Sequence, residues 1–235
     1  MTHALAAPRL YLITDRKATG NRALVEVVAA ALAGIAGSGL DPADVAVQLR
    51  EKDLDGRPLT DLARALRAST AAAGVRLFIN DRIDVALAVG ADGIHLGGTS
   101  LAPAEARAIA PALALAVSTH GLADVRAAAA DLARPAFAVF GPVRDTPSKR
   151  AYGPPLGFDA LAEASRLDFP LLALGGLDAR AVPEALAAGA HGVACLRPVM
   201  AATDPAETVQ KLCRALCQAL SRPLATSSVR PPYRT

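Results

Sequence analysis

A chain of 235 residues, 52% hydrophobic and 20% charged, has enough apolar material for one large core, which excludes disorder and fibrous repeats. Its formal charge of +3 is carried by a tail holding Arg222, Arg230 and Arg234 and no acid, so the body is neutral; with 3% aromatics and no Trp, the chain lacks the stacking platforms that a nucleic-acid binder needs. The longest nearly uncharged apolar run, Val27 to Gly37, is too short to span a membrane, and residues 1 to 14 lack a signal-peptide pattern, so the expected address is the cytoplasm.

Short apolar runs of strand length recur along the chain, each followed by a segment with apolar spacing near 3.6 residues. The predicted strands are Leu10 to Thr14, Val45 to Leu49, Arg76 to Ile79, Gly93 to Leu96, Leu115 to Thr119, Phe137 to Phe140, Leu171 to Leu174 and Gly192 to Cys195. Eight strand-helix pairs in one chain of this length predict a closed parallel (β/α)8 TIM barrel of a single domain over residues 1–220, followed by a mobile tail over 221–235. An internal echo supports the repeat: GADGIHL (Gly90 to Leu96) and GAHGVACL (Gly189 to Leu196) share a Gly-Ala-x-Gly lead-in, in which the first glycine caps a helix and the second lets a strand start close to its neighbour. Cys195, Cys213 and Cys217 have no CxxC spacing and read as reduced thiols, the last two on the core side of a helix.

In such a barrel, reactive groups gather where strands end. Gln48, Arg50 and Lys52 alternate after the second strand, and form either a phosphate grip or a solvated strand end. Asn80 and Asp81 follow the third strand, where Asp81 either caps the next helix or, beside phosphates, supplies a Mg2+ carboxylate. Ser118 and His120 end the fifth strand; His120 suits proton transfer or a structural hydrogen bond, whereas His95, inside a strand, reads as a core histidine. Thr146, Ser148 and Lys149 sit in a long Pro- and Gly-rich stretch from Gly141 to Gly157, either a lid over an anion or an ordinary surface loop. Gly175 and Gly176 precede a helix expected to begin near Asp178, which offers backbone N–H groups to a phosphate or makes a plain tight turn. Arg197 follows the eighth strand. No HExxH, Walker loop or nucleophile elbow is present.

LYLITDR (Leu10 to Arg16), VQLREKDL (Val47 to Leu54), LFINDRIDVALAVGADGIHLGG (Leu77 to Gly98), VSTH (Val117 to His120), FGPVRDTPSKR (Phe140 to Arg150) and ALGG (Ala173 to Gly176) resemble thiamine phosphate synthase and its TenI-like relatives. The resemblance implies a barrel enzyme in which aminomethylpyrimidine pyrophosphate loses pyrophosphate and the nitrogen of hydroxyethylthiazole phosphate captures the resulting cation. It implies that Gln48, Arg50, Lys52, Asn80 and Lys149 hold the diphosphate, with Ser118 near the leaving group and Asp81 on Mg2+. Thr146, Ser148 and the backbone at Gly176 would then face the thiazole phosphate. A homodimer is expected on the same likeness.

Two positions depart from that pattern. Ser100 stands where the synthases carry a second magnesium carboxylate, and Arg197 replaces a small hydroxyl residue beside the thiazole phosphate. The first departure opens an alternative, a TenI-like thiazole tautomerase with His120 as proton shuttle; retention of the diphosphate-facing set opposes it. A non-catalytic binder of thiamine precursors is the third reading, because a fold does not determine its function.

Overall fold

The computed structural model describes residues 6–145 and 154–221, and within them the chain alternates strands and helices from one end to the other. The order is β1 (Leu10–Ile13), α1 (Leu24–Ala33), β2 (Val45–Leu49), α2 (Gly56–Ala72), β3 (Arg76–Asn80), α3 (Ile83–Val89), β4 (Gly93–Leu96) and α4 (Pro103–Ile109). It continues with β5 (Ala114–Thr119), α5 (Leu122–Ala130), β6 (Phe137–Phe140), α6 (Gly157–Ser165), β7 (Leu171–Leu174), α7 (Val182–Ala187), β8 (Gly192–Cys195), the short α8 (Arg197–Met200) and α9 (Pro205–Leu220). The strands pair in chain order and in parallel, and β8 pairs back onto β1, so the sheet closes into the predicted barrel. Every predicted strand is present, with ends that differ by one residue at β1, β3 and β5. The C-terminal tail, from residue 222, lies outside the described residues.

Alternation along each strand separates two apolar clusters. Outward-facing side chains such as Leu10, Leu12, Val45, Val47, Leu77 and Ile79 meet the helices in the larger core. Inward-facing Tyr11, Phe78 and Phe137 meet one another near the barrel axis with ring centroids 5.3–5.7 Å apart and edge-on planes. Phe78 finds room because Gly93 on the neighbouring strand has no side chain: a Cβ there would lie 2.2 Å from the ring.

The Gly-Ala-x-Gly echo has the expected geometry. Gly90 closes α3 in the left-handed conformation (φ 60°), and Gly189 follows α7 with φ 90°. Between the two glycines of the first copy, Asp92 accepts from Leu77 N (2.8 Å) and Arg67 Nη1 (2.7 Å), fixing the start of β4 beside β3. At the second copy Gly192 sits against the backbone of Arg9, which accepts a hydrogen bond from Val193 N at 2.9 Å where the barrel closes.

α9 seals the outside of that closure by laying Val209, Leu212, Cys213 and Leu216 against the helix layer at α1, with Gly34 letting the Ala206 backbone approach. Cys213 is buried as expected and Cys217 is only half-buried; burial pushes the Cys213 thiol up to about 11. One expectation needs correction: α7 does not begin near Asp178 but at Val182. The Asp178 carboxylate accepts from Arg180 N (3.0 Å) and Ala181 N (3.2 Å), stabilising a turn ahead of Pro183 instead of a helix start.

Closure at Gly192 gives a direct test. A Cβ there would stand 2.3 Å from the Arg9 carbonyl oxygen, a backbone atom that cannot step aside. Gly192→Ala is expected to lower unfolding free energy by about 1–3 kcal/mol, measured by urea denaturation, with the larger value if β1 shifts.

Candidate functional site

The carboxyl ends of the strands open onto a cavity of about 350 Å³ lined by Gln48, Arg50, Lys52, Asn80, Ser118 and Arg197, together with His95, Asp15 and a rim of Val139, Leu174 and Leu196. A second cavity of about 430 Å³ abuts it under β7 and β8, lined by Gly175, Gly176, Leu177 and Cys195. His120, Gly141, Leu174, Leu196 and Arg197 line both, so the two spaces share one wall.

A built-in clamp directs the cations of the first cavity. Thr14, just past β1, donates its hydroxyl to Glu51 Oε1 at 2.8 Å and accepts from Arg50 N at 2.9 Å. Glu51 is buried and also accepts from Arg16 N at 3.1 Å, while Arg16 makes two further contacts to Asp53 at 2.8 and 2.9 Å. Those contacts hold the Asp53 carboxyl well below the usual carboxylate range. Glu51 and Asp53 are therefore consumed by β1–β2 cross-links, whereas Asp15, which accepts from Lys17 N, lines the cavity. Among the described residues, none forms a salt bridge with Arg50, Lys52 or Arg197, and all three line the cavity. Cations without acidic partners around a concave polar surface suit an anionic ligand with several oxygens.

The inner wall is polar but neutral. Gln48 is buried, and its Nε2 has no hydrogen-bond partner in the described structure. His95 is 4% exposed, with Nε2 2.9 Å from Ser118 Oγ and Nδ1 3.4 Å from the Tyr11 hydroxyl. Burial pushes its pKa down to about 3, with Arg50 and Lys52 adding to the depression and Asp81 opposing it. The reading of His95 as a core histidine is correct for its burial, yet the residue also lines the cavity beside Ser118. His120 stands at the shared wall with Nδ1 2.7 Å from the Gly141 carbonyl, which makes Nδ1–H the donor.

Asp81 follows β3 in a left-handed conformation (φ 62°) and is half-buried beside the first cavity without lining it. Its carboxylate accepts from Asn80 Nδ2 at 2.8 Å and from the Ser100 hydroxyl, which itself accepts from Gly97 N at 2.5 Å. Among the described residues no group of three or more His, Cys, Asp or Glu side chains is placed to cage a metal. Magnesium, however, takes one or two carboxylates and leaves its other positions to phosphate oxygens and water. Asp81, half-buried beside a cation-lined cavity, is a carboxylate of the kind that mode uses, and the half-buried Asp15 lines the cavity itself.

Gly175 (φ 113°) and Gly176 (φ 61°) turn the chain tightly under the second cavity, and a Cβ on Gly175 would lie 2.7 Å from Pro142. Thr146, Ser148 and Lys149 lie outside the described residues. Sequence reasoning missed the clamp formed by Thr14 and Glu51 and the inward path from Tyr11 to His95. Strand parity carried the signal for the second: Tyr11 and Ile13 alternate with outward Leu10 and Leu12, so Tyr11 had to point inward.

A family model described as "Thiamine monophosphate synthase" matches residues 10–199. The chain is 49% identical over 205 residues, 86% of its length and 92% of the relative's, to a Geobacter sulfurreducens protein provisionally named a thiamine-phosphate synthase. It is 41% identical over 212 residues to the thiamine-phosphate synthase of Roseiflexus castenholzii, covering 89% of this chain and 88% of the other. Among solved structures, the thiamine phosphate pyrophosphorylase of Pyrococcus furiosus superposes with a TM-score of 0.78 at 29% identity, covering 90% and 96% of the two chains.

The buried imidazole sets a pH dependence of stability. A histidine whose folded pKa lies near 3 rather than 6.5 must stay neutral to fold, so its contribution is complete above pH 6.5 and is lost as pH falls toward 3. Between pH 7 and pH 5 this residue alone should remove about 2 kcal/mol. Urea unfolding at the two pH values should therefore show a shallower loss for His95→Gln than for the unsubstituted chain.

Proposed function

Because the chain belongs to the thiamine monophosphate synthase family, we infer that it couples aminomethylpyrimidine pyrophosphate to hydroxyethylthiazole phosphate with release of pyrophosphate. The observation that carries this reading is the pair of abutting cavities: one ringed by neutral donors and by cations with no salt bridge among the described residues, the other apolar with a glycine turn, the two sharing a wall. The shared wall is where a carbon from one side could reach a nitrogen from the other.

The division of labour follows from the chemistry. Breaking the bond between the pyrimidine methylene and the diphosphate oxygen moves an electron pair onto the leaving group, so donors already aimed at those oxygens lower the barrier. Arg50 and Lys52 take that role from the rim, and Gln48, Asn80 and Ser118 from the inner wall. The methylene cation left behind is captured by the thiazole nitrogen, and water must be excluded or the alcohol forms instead. Val139, Leu174 and Leu196 supply the apolar lining there. The thiazole phosphate rests near Gly176 and Arg197, with Thr146 and Ser148 assigned to it, and Lys149 to the diphosphate, by likeness. Asp81 would hold Mg2+, which when bound neutralises charge on the diphosphate. A cytoplasmic homodimer belongs to the same proposal on family likeness.

A second reading keeps one specific observation. His120, with Nδ1 pinned to Gly141 and its ring at the shared wall, has the geometry of a proton shuttle, as a thiazole tautomerase requires.

Turnover with both phosphorylated substrates and Mg2+ is expected to yield thiamine phosphate, and EDTA to stop it until Mg2+ is restored. Arg50→Ala and Lys52→Ala should each lower kcat/KM by about 100-fold, the cost of removing one donor from a developing anion, while His120→Ala stays within about tenfold. Near-normal rates for the first two variants, with a severe loss in tautomer interconversion for His120→Ala, would favour the tautomerase.

A further inference from the structure

We propose that Tyr11 and His95 form a buried relay that locks Ser118 as a hydrogen-bond donor into the cavity, with His95 held as the Nε2–H tautomer. Its function as a positioning device rests on the synthase reading above.

The argument begins with the tyrosine. Tyr11 is fully buried in the barrel interior, wedged edge-on against Phe78 and Phe137, so its hydroxyl has few partners to choose from. His95 Nδ1, 3.4 Å away, is its hydrogen-bond partner among the described residues. Leaving a buried O–H donor unpaired costs more than leaving a phenol lone pair unused, so the hydroxyl donates. The group that accepts its hydrogen is His95 Nδ1. Nδ1 is therefore the bare nitrogen.

A neutral imidazole with bare Nδ1 carries its hydrogen on Nε2, 2.9 Å from Ser118 Oγ. Ser118 accepts there, and its hydroxyl hydrogen is then free to point into the cavity, which Ser118 lines. In the opposite tautomer Nε2 would take the serine hydrogen, and Ser118 could offer only lone pairs to an anion, a repulsive arrangement. The relay thus sets the polarity of one group at the diphosphate without placing a charge inside the barrel. Sequence spacing supports the path, since Tyr11, His95 and Ser118 come from three different strands whose parity aims each inward.

The tautomer can be read without substrate, so its outcome is independent of whether thiamine phosphate is made. In the full chain labelled with 15N-histidine, the His95 resonances, identified by their loss in His95→Gln, should show protonated Nε2 and unprotonated Nδ1. Tyr11→Phe, nearly isosteric, should shift that pattern toward mixed protonation and lower kcat about five- to tenfold, with KM changed less than twofold. His95→Gln, which keeps a side-chain N–H at the Nε2 position, should retain more kcat than His95→Leu. Protonated Nδ1 with bare Nε2, or a Tyr11→Phe pattern identical to that of the unsubstituted chain, would overturn the proposal.

Discussion

Closure of the sheet governs everything else in this molecule. Because β1 pairs with β2 on one side and β8 on the other, the register of every strand is determined twice, and side-chain parity is determined with it. The consequence is layered. Tyr11, Phe78 and Phe137 fill the barrel axis as an edge-on aromatic floor, and Gln48, Asn80, His95 and Ser118 stand in the layer nearer the cavity. A slip of one residue in any strand would turn its polar members outward into the helix layer. The same closure explains why small residues matter where they do: Gly93 yields its space to Phe78, and Gly192 to the backbone of Arg9.

On this scaffold the acidic residues between β1 and α2 act as ties. Glu51 is buried and bound to Thr14 and Arg16, and Asp53 is paired with Arg16 and Lys17. Had either carboxylate faced the cavity, it would have neutralised Arg50 or Lys52 and repelled an anion. Sequestering them in cross-links keeps the rim positive while the loops that carry it stay in place. The alternating acids and bases of LREKD are thus read by direction, with Arg50 and Lys52 toward the cavity and Glu51 and Asp53 toward the β1 loop.

Much of this was legible in the sequence, and the reason is periodicity. Strand-length apolar runs such as Val45 to Leu49 and Phe137 to Phe140 stand out because all their residues are buried, on one face by helices and on the other by the barrel axis. The rim residues Arg50 and Lys52 were visible because they follow directly on such a run, and Gln48 because it is the polar member within it. What could not be read was long-range. Thr14 and Glu51 are 37 residues apart, and His95 and Ser118 are 23 apart; nothing local marks either pair. The α7 start was misplaced because Asp178 is as good a capping residue for a turn as for a helix, and only the bonds from Arg180 N and Ala181 N distinguish the two.

Charge in the site is graded by depth. Lys52 and Arg197 are exposed, Arg50 is half-buried, and the groups deepest in the barrel, Gln48, His95 and Tyr11, carry no charge. Desolvation demands that order: a cation at the rim keeps part of its water when no ligand is present, whereas one placed at His95 would lose it permanently. The depressed His95 pKa expresses the same rule, since a protonated imidazole beneath Arg50 and Lys52 would add a third cation where there is no solvent to share. Neutral donors inside and full charges outside let an anion be gripped at its exposed oxygens and oriented at its buried ones. The barrel can then be emptied between turnovers without stranding a charge.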